Sequence, residues 1–213
     1  MSKLTDSLLS GSSGRTGRLV VANVAGTEIL RVRPQKRKEA TDKQLLIQQR
    51  MKICYDFLSS YKPYASKFFG VKVGMKSCYN LAMANLLTAF KINFETAQIT
   101  PVYPEIAFSK GFLTQPVVTG ISAPTAGKFT VEWYNNSAGR PERETDLAQI
   151  LYVAEDSVNT VFMENIATRL DAQAEVSFAP NMAGKTIHVW LAFRDELEQL
   201  VSTSVYAGSV EVS

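Results

Sequence analysis

Histidine is nearly missing from this chain: His188 is the only one in 213 residues, and cysteine occurs just twice, at Cys54 and Cys78. A Ser-His-Asp or Cys-His catalytic site would have to use that one imidazole. The usual Cys/His zinc sites need more ligands, closer together in sequence. Both cysteines fall in helical patterns, which reads as reduced, buried thiols rather than a disulfide framework. No run approaches the roughly 18 apolar residues of a membrane helix. The N-terminal "MSKLTDSLLSGSSG" offers only the pair Leu8-Leu9, too short for the apolar region of a secretory signal. Cytoplasmic synthesis without membrane contact is therefore expected.

What is present is globular in character. Hydrophobic residues make up 46% and charged residues 20%, which excludes wholesale disorder. The length permits one large domain or two small ones. Charge, however, is polarised. Residues 1–100 hold 16 Lys/Arg against 6 Asp/Glu, whereas residues 101–213 hold 7 against 14. Such polarity suits a basic half touching nucleic acid or membrane, and it equally suits head-to-tail self-association.

"SGSSGRTGRLVVANVAGTEILRVRP" (residues 10–34) looks at first like a phosphate loop, with Gly11, Gly14 and Gly17 before an apolar run. The spacing G-x-x-G-x-x-G matches neither the P-loop nor the dinucleotide fingerprint, no strand precedes it, and β-branched residues follow. Two strands, "RLVVANVA" and "TEILRVR", joined by a turn at Ala25-Gly26, are the economical reading. Ile29, Arg31 and Arg33 then share one face, and Pro34 ends the second strand. A solvated basic linker, "QKRKEA", follows.

"TDKQ" (41–44) has capping-box form. Ile47, Met51, Cys54 and Leu58 then recur as one helical stripe, and Met75, Tyr79, Met83, Leu86 and Phe90 as a second, with Lys62-Pro63 breaking or restarting the chain between them. The helical pair is expected to lie against the N-terminal hairpin, which is too small to be stable alone. Past residue 100 come short alternating runs bounded by turn residues: "VVTGIS", "KFTVEW", "AQILYVA", "NTVFME", "AEVSFA", "TIHVWLAFR" and "STSVYAGSVEV". Phe129, Val131 and Trp133 share one face, as do Ile187, Val189, Leu191 and Phe193. This pattern predicts an α+β chain: a hairpin plus helical domain over 1–100, then an antiparallel immunoglobulin- or fibronectin-like β-sandwich over 101–213.

The candidate chemistry is sparse. His188 lies opposite Ile187 and Val189 and reads as a surface or sheet-packing residue; a reaction would need it buried in a pocket beside acids. Glu142, Glu144 and Asp146 in "RPERETD" could present oxygens to calcium, but Arg140 and Arg143 compete for them, and a solvated loop is expected. Arg31, Arg33, Lys36, Arg37 and Lys38 form a basic patch sufficient for phosphate contact. No aromatic platform is interleaved with it, so nucleic acid is the weaker reading. Trp190 shares its face with His188, Ala192 and Arg194. It is either an interface anchor of the Trp/Arg kind or is covered by a loop or the helical half. No catalytic residue, cofactor, metal or small-molecule substrate is expected.

Several motifs in order, namely Ser13-Gly14, Gly17, Val20, Gly26, Arg31, Arg33-Pro34, "QLLIQQR", "AFSKGFL", "VEW", Asp146, "AGKTIHVWLAF" and "STSVYAG", resemble a domain-of-unknown-function family common in Bacteroidota. The "RPERE" preceding Thr145-Asp146 departs from its pattern. The opening glycine strands, the Q-x-x-x-Q-R helix and the β end are also similar, more loosely, to small phage virion proteins. The resemblance implies organisation more than activity. A non-enzymatic structural subunit of a phage or phage-like particle is the expectation, with Arg31, Arg33, Arg50 and Trp190 as interface residues and other copies or particle subunits as partners. A binding module whose β-sandwich grips carbohydrate or a surface protein, with Trp190 or an exposed tyrosine as platform, is the alternative.

Overall fold

The computed structural model describes residues 2–24, 26–33 and 39–212. The chain divides into two units, residues 1–44 and 45–213, so the boundary expected at residue 100 falls inside the second unit.

The first unit is a four-stranded antiparallel sheet. Its strands are β1 (Ser2–Lys3), β2 (Gly14–Thr16), β3 (Leu19–Val24) and β4 (Thr27–Val32), in the order β1-β4-β3-β2. β3 and β4 are the two expected strands, and β1 and β2 extend them at either edge. Gly17 turns the chain between β2 and β3 with φ +59°, and Gly26 follows β3 with φ +82°. Both lie in the left-handed region that favours glycine. Gly11 donates its amide to the Glu28 carboxylate at 2.8 Å. The glycines thus shape the backbone of a sheet, and no helix follows them to make a phosphate cradle. The expected turn residue Ala25, Pro34 and the linker residues Lys36, Arg37 and Lys38 lie outside the described residues. The Thr41 hydroxyl accepts the Gln44 amide at 3.4 Å, and the Gln44 side chain returns the bond at 3.2 Å.

Helix α1 (Asp42–Ser59) follows that capping box, then α2 (Lys62–Phe68) and α3 (Cys78–Ala89). Pro63 restarts the chain at the first turn of α2, where its missing N–H costs nothing. The buried stripe of α1 is Leu46, Cys54, Phe57 and Leu58; Ile47 and Met51 are each 46% exposed. The inward face is therefore rotated from the expected one in the first half of the helix. Met75 precedes α3 and is exposed, and Phe90 belongs to the next strand rather than to the helix. That strand, β5 (Phe90–Asn93), forms a hairpin with β6 (Gln98–Pro101) that the sequence reading missed.

All seven runs past residue 100 are strands: β7 (Val117–Thr125), β8 (Lys128–Tyr134), β9 (Leu147–Ala154), β10 (Val161–Met163), β11 (Gln173–Ser177), β12 (Thr186–Arg194) and β13 (Val205–Glu211). One helical turn, α4 (Pro141–Glu144), sits between β8 and β9. The strands form two antiparallel sheets, β10-β9-β12-β13 and β11-β8-β7. Phe129, Val131 and Trp133 of β8 meet Ile187, Val189, Leu191 and Phe193 of β12 in one core. This is the expected sandwich.

The four-stranded sheet is buried on its other face as well. Leu151 and Val153 of β9, with Trp190 and Ala192 of β12, pack against Cys54, Phe57, Leu58 and Tyr61 of the α1 region and Met83 and Leu86 of α3. Every residue of β12 after Thr186 is buried. The second unit is accordingly three-layered: helices, sheet, sheet. Burial pushes the Cys54 thiol up to about 11, which keeps it protonated and inert.

Two further constraints hold this unit. Asp146, expected in a solvated loop, is fully buried and paired with the fully buried Arg169 at 2.9 Å. Arg169 also bonds Asn136 and the Thr114 carbonyl (3.2 Å), and its guanidinium lies 4.0 Å from the centre of the Phe193 ring. Burial pushes the Asp146 carboxyl up, and Arg169 opposes that rise. Elsewhere "AFSKGFL" runs against "VSTS": the Leu113 amide donates to the Val201 carbonyl at 3.0 Å, and the Ser109 hydroxyl to the Ser202 carbonyl at 2.9 Å. A Cβ on Gly111 would stand 2.1 Å from the Val201 carbonyl oxygen.

Two outcomes are expected in chemical unfolding. Arg169→Met, which strands the Asp146 charge, should cost about 3–5 kcal/mol, and adding Asp146→Leu should recover part of that loss. Gly111→Ala should cost about 1–3 kcal/mol, because two backbone segments must separate to admit one methyl group.

Candidate functional site

The helix-facing row of β12 carries the most unusual side chains of the second unit: His188, Trp190, Ala192 and Arg194, all buried. Alternation along the strand sets this row, because Ile187, Val189, Leu191 and Phe193 turn the other way into the sandwich.

Trp190 is 0% exposed. Its Nε1 donates to the Tyr103 carbonyl at 3.2 Å. The Phe57 ring meets it edge-on, with centroids 6.1 Å apart and planes at 87°. The covered alternative therefore holds, because α1 and the Tyr103 segment close over the ring. Trp190 offers no surface to a partner or a sugar, and the carbohydrate platform imagined on it is removed.

His188 is also inside, at 8% exposed. Its ring stacks on Tyr103 with centroids 3.5 Å apart, and Nδ1 shares a hydrogen bond with the Tyr206 hydroxyl at 2.8 Å. Nε2 is buried with no hydrogen-bond partner. Burial holds the imidazole below its ordinary pKa, and the Glu155 charge opposes this. Among the described residues the hydrogen-bond partner of His188 is the Tyr206 phenol, with no serine, threonine, cysteine or carboxylate bonded to it, so the Ser-His-Asp and Cys-His arrangements are not assembled around it. His188 works as a packing residue of the sheet.

At the far end of the row Arg194 contacts Glu164 at 3.2 Å, Asn165 at 2.8 Å and Glu198 at 3.4 Å. These bonds tie β12 to the loops on either side of it. Of the remaining expected interface residues, Arg50 is half-buried on α1 and donates to the Leu87 carbonyl at 3.3 Å. Arg31 and Arg33 are exposed in the first unit. The expected set is thus dispersed: one member is in the core, one braces two helices, and two are free at the surface.

Sequence reasoning missed a small cavity of about 200 Å³ in the second unit. Ile53 and Phe57 of α1, Phe90 and Ile99 of the β5–β6 hairpin, and Tyr103 form its apolar wall, while Glu155 and Asp156 stand on its rim. Asp156 pairs with Lys185 at 3.0 Å. The Glu155 carboxylate has no ion-pair partner among the described residues. The signal in sequence was the "AED" that ends β9, where an apolar run gives way to two adjacent acids.

The linkage of His188 to folding has a definite sign. Its pKa in the folded protein lies below the unfolded value of about 6.5, so the unfolded state takes up the proton first as pH falls. Stability is then fully present above that value and is lost below it. Thermal melts between about pH 8 and pH 5 should show a falling Tm. His188→Gln, which cannot titrate and still reaches Tyr206, should flatten that fall; an unchanged slope would assign the acid sensitivity elsewhere.

Two solved structures are similar to about half of the chain. The fn3 domain of the human collagen alpha-1(XX) chain covers 49% of it at 18% identity, with 85% of that domain matched and a TM-score of 0.33. The fn3 domain of human contactin 1 also covers 49%, at 15% identity, with 84% of that domain matched and a TM-score of 0.34. No curated protein matches the sequence. Among the described residues no helix is long and apolar enough to cross a membrane. A family match runs from residue 11 to residue 208, from the glycine strands through the helices to the last strand of the sandwich, and by it the chain belongs to the family of unknown function DUF6266.

Proposed function

We propose that this chain is a non-enzymatic assembly subunit, a component of a phage or phage-like particle, that joins its neighbours through protein–protein contacts. The observation that carries the reading is the state of the first unit. A four-stranded sheet needs a covered apolar face to be stable in water, yet no described residue of 2–44 is buried. Both faces carry apolar side chains. Leu19, Val21, Leu30 and Val32 lie on one, and Val20, Ala22, Val24 and Ile29 on the other, by the pairing register of β3 and β4. Val32 is 68% exposed and Val24 45%.

An apolar sheet without a core of its own is a surface that gains by meeting another protein. Among the described residues β1 pairs with β4 at Ile29 and Leu30. The basic excess of this unit, 9 Lys/Arg against 4 Asp/Glu in residues 1–44, can meet carboxylates of the near-neutral second unit and gives the contact a head-to-tail sense. The particle setting draws on the likeness of the N-terminal pattern to virion proteins, and capsid, portal or tail genes beside this one are its expected context.

Light scattering on the intact protein tests the assembly reading. The mass should exceed that of one chain, grow with concentration, and fall as salt is raised toward about 1 M, where charges are screened within a few ångströms. Val21→Asp with Leu30→Asp, which puts two carboxylates on one face of the sheet, should give a single-chain mass under all these conditions. A wild-type protein that stays a monomer from low to high concentration at low salt overturns the reading.

A further inference from the structure

We propose that the cavity beside Tyr103 receives the Arg31 side chain of a second copy of this chain, with its guanidinium against Glu155. The proposal rests on the assembly reading and gives it a receptor site.

Size selects the occupant first. Ligand pockets for drug-sized molecules run to roughly 300–1,000 Å³, whereas this cavity is about 200 Å³. That is room for one long side chain. Its chemistry selects the type. The wall is apolar and aromatic, from Ile53, Phe57, Phe90 and Tyr103, and the only charge on the lining is negative, from Glu155 and Asp156. Arginine fits such a site as few residues do. Its methylene stem lies on apolar surface, its planar head stacks on aromatic rings, and its donors reach a carboxylate at the rim.

Electrostatics selects the partner. Asp156 is already neutralised by Lys185, while Glu155 has no counter-ion among the described residues and sits near enough to act on Tyr103, His188 and Tyr206. Arg31 is exposed on β4, on the same sheet face as Val20 and Ile29, so an apolar surround travels with it. The chain therefore carries both halves of one contact: a cation on an apolar sheet face and an anion on an apolar cavity, neither with an ion-pair partner among the described residues. Because the two halves are different surfaces, each copy can give one and receive one, which builds rings or filaments.

Charge exchange tests the pairing. Sedimentation at low salt should show Arg31→Glu and Glu155→Arg each weakening association by roughly tenfold to a hundredfold, as for interface anchors of this kind. The chain carrying both changes should regain most of the wild-type association. Both positions are exposed, and circular dichroism melts should match the wild type for all three variants. If the wild type associates and Glu155→Arg associates equally well, the cavity assignment is overturned while the assembly reading stands. If both single changes weaken association and the exchange restores nothing, the Arg31–Glu155 pairing is overturned. A wild type that never associates overturns both readings together.

Discussion

The second unit depends on a sheet that is apolar on both faces. β9 and β12 are neighbours in the four-stranded sheet, and neither leaves an inner residue to solvent. A strand of that kind cannot sit in a two-layer sandwich with one wet side; it needs a cover above and below, as strands buried on both faces do in other layered folds. One cover is the β11-β8-β7 sheet, and the other is the trio of helices. Trp190 and Phe193, three residues apart on β12, point into these two different cores. The helices therefore complete the body. Phe57 against Trp190 adds an edge-to-face contact worth about 0.5–1.5 kcal/mol beyond the area it buries.

That constraint explains what could be read in the sequence and what could not. The seven strands were legible because each alternates or runs apolar between turn residues, and the inner face of β8 and β12 followed from period two alone. The second cover was not, although the signal was present. "TIHVWLAFR" has a large apolar ring on the face left open between an interface and a cover, and "ILYV" is apolar enough to be buried on both sides. A near-continuous apolar run marks burial on both sides, and period-two reasoning hides this by assigning alternate residues outward. The α1 stripe was misplaced in its first half because Ile47 and Met51 satisfy the spacing as well as Leu46 does; only packing decides between the two faces. Phe90 was read into a helix because its spacing from Leu86 is helical, whereas the chain leaves α3 at that residue to start a hairpin.

Candidate sites divided along the same line. The glycines were legible because loop chemistry is local: positive φ at Gly17 and Gly26 serves turns between β-rich runs. Asp146 was not, because its meaning comes from Arg169, 23 residues away, and from the apolar surround that makes the pair fully buried. Reading "RPERETD" as a unit grouped Asp146 with two acids that stay near the surface. His188 and Trp190 were correctly paired on one face, yet whether that face meets water depended on an element about 130 residues earlier in the chain. The cavity wall likewise joins α1, the missed hairpin and the end of β9, so no contiguous motif could reveal it.

Cutting the chain where the structure divides it, rather than at residue 100, changes the electrostatic argument. Residues 1–44 hold 9 Lys/Arg against 4 Asp/Glu, and residues 45–213 hold 14 against 16. The basic excess is thus concentrated in the small sheet unit and its linker, and the body is close to neutral. A near-neutral body attracts a basic unit weakly over long range, so the field of the whole chain cannot select one docking position. Selection then falls to local features: a carboxylate on the rim of an apolar cavity, beside an acid already engaged, as Asp156 is by Lys185. A paired acid presents a dipole to an approaching arginine, whereas Glu155 stands beside a surface that the arginine stem can dehydrate. Long-range charge therefore contributes little, and the apolar surround of each charged group governs where two copies bind.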